Sequence, residues 1–173
     1  TEVLEEDSPA GEAARAQAST HLNAHVRLEF NIPGVTFGGR YDGSPVIVGD
    51  GTSPPPDHPN VYQPTACPGG RPPHAWLSDG QSLFDVLGLG WSLLVLSSTP
   101  SSDQVLTAQV EGLRAAAQTK GVALNVVTVH EPGLLELYEA PLVLVRPDHI
   151  VAWRGHGVQD PSAVVDQVLG WRL

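Results

Sequence analysis

Residues 74–173 predict an α/β domain, a central mixed sheet flanked by helices, reached through an N-terminal helix and a long proline-rich connector. Three observations lead there. Short apolar runs of strand length alternate with segments whose apolar residues recur at helical spacing. These segments follow the order β-α-β, then a β-hairpin, then α. Two strands joined by a helix run parallel through a right-handed crossover, and the hairpin adds antiparallel strands. Eight of the 16 prolines lie between Pro54 and Pro73. There, fixed φ and missing backbone donors forbid helix and central strand. The expected parts are 1–53, carrying a helix and a strand; 54–73, the connector; and 74–173, the α/β domain.

Ser8-Pro9 starts the first helix, with Ser8 as cap and Pro9 at the first helical position. Ala14, Ala18, Leu22 and Val26 recur every four residues and form one stripe. Asn31-Ile32-Pro33-Gly34 ends the helix. A strand over 41–48 follows a Gly38-Gly39 turn. In the C-terminal part, 92–97 is an apolar strand, and Thr99-Pro100-Ser101-Ser102 is a turn able to cap a helix. Over 103–119, Leu106, Val110, Leu113 and Ala117 share one helical face. Lys120 and Gly121 close it, a cation in the last turn and a glycine just past it. Residues 122–129 make the second strand and 141–145 the third; Pro147-Asp148 turns the chain into a fourth over 149–153. Asp160-Pro161 caps a last helix, with Val164, Val165, Val168 and Leu169 facing inward.

The chain carries 19 acidic and 9 basic side chains, a net charge of −10. Such a surface repels phosphate backbones and argues against nucleic acid as a partner. Glu2, Glu5, Glu6, Asp7 and Glu12 crowd the N-terminus and predict a solvated acidic end. Cys67 is the single cysteine, which excludes an internal disulfide and a thiolate metal cluster. No apolar run approaches the roughly 18 residues of a membrane helix. The first residues lack the positive charge and apolar stretch of a signal peptide, so a cytoplasmic location is expected.

The β-α-β, hairpin, α order resembles the thioredoxin fold. Ala140-Pro141-Leu142-Val143-Leu144-Val145-Arg146-Pro147-Asp148 is similar to the stretch in which such domains carry a cis-proline before the third core strand. The resemblance implies a cis Ala140–Pro141 bond. Asp79-Gly80-Gln81-Ser82-Leu83-Phe84-Asp85-Val86-Leu87-Gly88 resembles the lead-in of peroxiredoxin-type folds, a turn and a short helix before the first core strand. A longer resemblance covers nearly the whole chain. Pro72-Pro73-His74-Ala75-Trp76-Leu77, the 79–85 run, Gly90-Trp91-Ser92-Leu93-Leu94 and residues 140–155 are similar to the C-terminal domain of FAD-dependent aromatic-ring hydroxylases. Phenol and chlorophenol monooxygenases and polyketide hydroxylases are of this type. Arg40-Tyr41-Asp42-Gly43-Ser44-Pro45 resembles a strand just upstream in the same enzymes. The alanine-rich helix is similar to the one that leaves their substrate domain. The resemblance implies one part of a longer NAD(P)H- and O2-dependent flavoprotein monooxygenase. That part packs on the FAD- and substrate-binding part and supports homodimer contacts.

The cofactor sites themselves are not expected in this chain. Gly88-Leu89-Gly90 runs into a strand instead of a helix and lacks a third glycine in register, so the dinucleotide fingerprint fails. Gly49-Asp50-Gly51 holds the family's Gly-Asp pair but runs into Thr52-Ser53-Pro54-Pro55-Pro56 and reads as a turn. FAD and NAD(P)H are therefore assigned to the rest of the parent. Dithiol chemistry needs Cys-x-x-Cys at a helix N-terminus, where the thiol pKa is lowered. Thr99 and Ser102 stand at those positions, as vestigial redox-loop residues. Their hydroxyls cannot cycle through a disulfide, and Ser102 cannot form a sulfenate.

His21 and His25 have the spacing of a helical zinc clamp, but no third ligand is evident apart from Glu29, and both read as solvent-facing. His149 and His156 flank the Trp153 strand and read as turn residues. No Gly-x-Ser-x-Gly elbow aims a nucleophile. Trp76, Trp91, Trp153 and Trp171 read as core, with an interface role as the other option, since tryptophan is enriched among interface anchors. Leu134-Leu135-Glu136-Leu137-Tyr138 is a similar candidate. No catalytic, cofactor-binding or metal-ligating residue is assigned. Two other readings stay open: a stand-alone, redox-dead thioredoxin-like protein-binding module, and a thiol peroxidase using Cys67.

Overall fold

The computed structural model describes residues 2–97, 104–131 and 133–171. The chain forms two compact units, one of Thr1–Phe37 with Asp57–Tyr62, the other of Gly38–Pro56 with Gln63–Leu173. The proline-rich stretch is shared between units, and residues 38–56 belong with the sheet.

In the first unit a single 3-10 turn, Glu2–Glu5, precedes α1 (Pro9–Phe30). The Ser8 hydroxyl accepts the Gly11 N–H at 3.1 Å, satisfying one of the free donors of the first turn. Gly11 has no room for a side chain, because a Cβ there would overlap the Glu6 carbonyl. α2 (Pro33–Phe37) follows at once. Residues 57–62 clip the end of α1. The Asn60 amide donates to the carbonyls of Leu28 (2.7 Å) and Asn31 (2.8 Å), and Gly34 N–H donates to Pro59 O (3.0 Å). The stripe along α1 meets no core of its own, for Leu22 is 58% and Val26 44% exposed.

The second unit runs α3 (Leu83–Leu87), β1 (Trp91–Leu96), α4 (Gln104–Thr119), β2 (Leu124–Val129), α5 (Leu134–Tyr138), β3 (Leu142–Val145), β4 (Val151–Gly155) and α6 (Pro161–Val168). The sheet order is β2-β1-β3-β4. β1 pairs parallel with β2 (Leu94 opposite Val127) and antiparallel with β3 (Leu94 opposite Val143). β3 pairs antiparallel with β4 through a bulge at Leu144/Val145. Alternation sorts the strand residues onto two faces. Leu94, Leu96, Val143 and Val145 pack with Leu83, Leu87, Leu134 and Tyr138 of α3 and α5. Leu93, Val95, Leu142 and Leu144 pack with Leu113, Val165 and Val168 of α4 and α6. β1, β3 and β4 are buried on both faces and read as largely apolar runs, whereas Asn125 and Thr128 of the edge strand β2 are exposed.

Several expectations need correction. No strand forms over 41–48. Two successive turns stand there, Ser44 N–H to Tyr41 O and Ile47 N–H to Ser44 O, with Gly43 at φ 73. Pro45 lacks the donor a ladder needs. Every described peptide bond is trans, so the Ala140–Pro141 bond is not cis. Trans is the lower-energy isomer by about 0.5–1 kcal/mol, and left-handed Glu139 (φ 57) already turns the chain into β3. The fourth strand starts later than expected, because His149 takes φ 56 in the hairpin turn and Arg146 N–H bonds Ile150 O. Leu134–Tyr138 is a helix with Leu134 and Tyr138 in the core. Of the tryptophans, Trp153 is buried, while Trp76 and Trp171 are 72% and 67% exposed.

Candidate functional site

The place where a thioredoxin-type site would stand is marked by the sheet. β1 ends at Leu96, whose N–H donates to the Pro141 carbonyl at 2.8 Å. The β1–α4 connection therefore leaves the sheet beside Pro141. Thr99 and Ser102 lie in that connection, outside the described residues.

The polar centre of the unit lies elsewhere, around Arg154 on β4. Its side chain is 3% exposed. Nε donates to Asp50 Oδ2 at 2.6 Å, Nη1 to the Tyr138 carbonyl at 2.9 Å, and Nη2 to Thr52 Oγ1 at 3.2 Å. Glu139 Oε2 stands 2.7 Å from Nη2. Burial pulls the guanidinium pKa down, but the bonds to Asp50 and Glu139 outweigh it and hold it above its ordinary value. Burial likewise pushes the Asp50 carboxyl up, and is outweighed by hydrogen bonds from Thr52 and Arg154, so it sits below the usual 3.8. The Tyr138 hydroxyl donates to Pro73 O at 2.6 Å, which ties the end of the connector into the same node.

Cys67 borders this node. It is buried, 3.3 Å from Thr52 Oγ1 and 3.7 Å from Arg40 Nη2. Arg40 also binds Asp42 (2.8 Å) and the Pro68 carbonyl (3.1 Å). The sequence places Asp50 in a Gly-Asp-Gly turn and carries no local signal for Arg154. Asp50 and Arg154 are 104 positions apart, and no local pattern links them.

A row of rings lines another part of the unit. Trp76 meets His74 edge-on (5.1 Å), His74 stacks on Phe84 (5.6 Å), and Phe84 stacks on His149 (5.1 Å). The Arg71 guanidinium lies 4.8 Å over Phe84. His149 Nε2 donates to the Gly88 carbonyl at 2.7 Å, so this histidine fastens the β3–β4 turn to the end of α3. On α1, His21 and His25 stack on each other with centroids 6.1 Å apart. Among the described residues no group of three histidine, cysteine or carboxylate side chains is placed to hold a metal.

A recess of about 320 Å³ between Val48 and α6 has Asp160 as its sole ionisable lining residue, and Asp160 is used as the α6 cap, accepting Ala163 N–H at 2.9 Å. A second recess, of about 410 Å³, has only Arg114. The node around Arg154 has its donors and acceptors paired with one another. It holds segments together.

A four-stranded β2-β1-β3-β4 sheet with an antiparallel second half and helices on both faces defines a thioredoxin-like domain. Residues 65–171 match the family described as aromatic-ring hydroxylase, C-terminal, and the chain belongs to that family. The FAD-dependent monooxygenase apdD of Emericella nidulans is 32% identical over 98% of this chain and 27% of its own length. The phenol 2-monooxygenase of Pseudomonas sp. strain EST1001 is 30% identical over 96% of this chain and 29% of its own length. The solved structure of RebC-10x, native and K252c-bound, superposes with a TM-score of 0.81 at 36% identity, covering 98% of this chain and 31% of that one. The chain thus spans less than a third of the proteins it matches.

Proposed function

We propose that the chain is the redox-inactive C-terminal domain of a FAD-dependent aromatic-ring hydroxylase, a cytoplasmic NAD(P)H- and O2-dependent monooxygenase whose flavin, nicotinamide and substrate sites lie outside these residues. Its role is structural. It packs on the FAD- and substrate-binding part and contributes to homodimer contacts. The carrying observation is the coverage: 98% of this chain aligns with only 27% of one FAD-dependent monooxygenase and 31% of the RebC-10x chain. Three features support the structural role. Hydroxyls replace thiols at Thr99 and Ser102. The ionisable groups of the Arg154 node are paired with each other. And α1 carries Leu22, Val26, Leu28 and Phe30 on its exposed surface, a feature of helices that pack against something further.

The test is optical. The full-length parent purifies yellow, while the 173-residue chain, incubated with FAD and desalted, retains no flavin absorbance. Stoichiometric flavin on the chain alone overturns the assignment. For the dimer role, light scattering of the parent lacking residues 65–171 should give the mass of one truncated subunit, while the intact parent gives the mass of two.

A further inference from the structure

We propose that residues 49–54 are a lid over Cys67, latched shut by Arg154 and able to open without unfolding the sheet. The segment from Gly38 to Pro56 is fixed in three places. Tyr41 N–H bonds Gly69 O (2.8 Å); Val48 N–H bonds Ala152 O (2.8 Å), next to bonds from the Gln167 amide to Pro45 and Ile47 carbonyls (3.2 and 3.3 Å); and Asp50 and Thr52 meet Arg154. The first two anchors use backbone hydrogen bonds to the sheet unit. The third uses side chains alone. Between the second and third anchors stands Gly49, and Gly51 (φ 86) lies inside the third, with nothing within 4 Å of the Cβ position of either. These glycines supply the backbone freedom a hinge needs.

The closed lid is held in a closed circuit. The Thr52 hydroxyl and Thr52 N–H both donate to Asp50 Oδ1, fixing the carboxylate so that Oδ2 faces Arg154 Nε. Thr52 in turn covers Cys67, with Oγ1 at 3.3 Å and its carbonyl at 3.9 Å from Sγ. Residues 51–54 are otherwise exposed, so little apolar surface resists opening. Segments with few buried contacts open at lower free energy than the core around them. Arg154 is itself held from the other side by the Tyr138 carbonyl and Glu139, so it stays in place when the lid leaves.

Cys67 is the one thiol in the chain, which makes it the reporter. Its alkylation by N-ethylmaleimide in the 173-residue chain is followed by mass, across a urea series below the unfolding midpoint. For the native sequence the labelling rate should rise with urea at well under half the slope of global unfolding, the mark of a local opening. Asp50→Asn keeps the shape and removes the charge-assisted bond, so it should speed labelling at least about tenfold. Because the latch is lost in both the open and the unfolded state, its stability to urea, read by circular dichroism, should fall by no more than the labelling gain implies. Thr52→Ser, which keeps the hydroxyl, should label like the native chain. A native labelling rate that follows the global unfolding slope overturns the lid, whether or not Asp50→Asn folds. Equal rates in Asp50→Asn and the native chain overturn the latch.

Discussion

Asp50 shows how a single carboxyl can be set by its partners. Burial opposes its charge, and Thr52 and Arg154 favour it more strongly, so its pKa in the folded chain lies below the ordinary 3.8. A depressed folded pKa means the ion pair stabilises above the unfolded value and loses that contribution as pH falls through the folded one. At neutral pH, Asp50→Asn should cost about 1 kcal/mol, a small figure because the carboxyl is near solvent and screened. That difference should begin to shrink below pH 3.8 and disappear at still lower pH, as urea titrations of both proteins at stepped pH would show. A difference that grows on acidification contradicts the assignment. Tyr138 makes a second residue-scale prediction. Its hydroxyl is buried and donates to Pro73 O at 2.6 Å. Tyr138→Phe leaves that carbonyl unpaired and should destabilise by about 1–2 kcal/mol in urea unfolding.

At the scale of elements, length decided what could be read. α4 has a full set of apolar positions, and its end at Thr119 is where the sequence places it. β1 and β3 are legible as apolar runs, because burial on both faces leaves little polar alternation in them. α5 has five residues, too few for a period to establish itself. Its helix is made by packing, with Leu134 and Tyr138 one turn apart against the sheet. The 41–48 stretch misled in the opposite direction. Its Val46, Ile47 and Val48 have β propensity, which packing context overrides, and here Gly43 and Pro45 impose turns. Two substitutions separate packing from capping. Leu113→Ala, at a fully buried site between α4 and the sheet, should cost about 3 kcal/mol. Asp160→Ala, which removes the α6 cap, should cost about 1 kcal/mol. The ratio is read from the shift in urea midpoint at constant slope; equal costs would mean that the α4 face is not a packed interior.

At the scale of the whole molecule, Leu22, Val26, Leu28 and Phe30 leave α1 with exposed apolar surface. Leu22 is 58% and Val26 44% exposed. The double substitution Leu22→Lys, Val26→Lys should therefore leave the unfolding midpoint of the 173-residue chain within about 0.5 kcal/mol of the native value, as surface changes do. In the full-length hydroxylase the same change should lower the melting temperature or the retained flavin, since it would place two charges in a packed contact. An unchanged parent would mean that α1 faces solvent there too, and the packing role would fall.

The sequence by itself determined the chain's periodicities and residue types: the order β-α-β, hairpin, α, and the caps at Ser8 and Asp160. These are local properties, set by spacing and by the chemistry of single side chains. Tertiary structure alone decided that Arg154 meets Asp50 across 104 positions, that Cys67 is buried beneath Thr52, and that residues 38–56 join the sheet unit. Such pairings depend on which segments the folded backbone brings within a few ångströms, and the short-range pattern of residues along the chain holds no record of that distance.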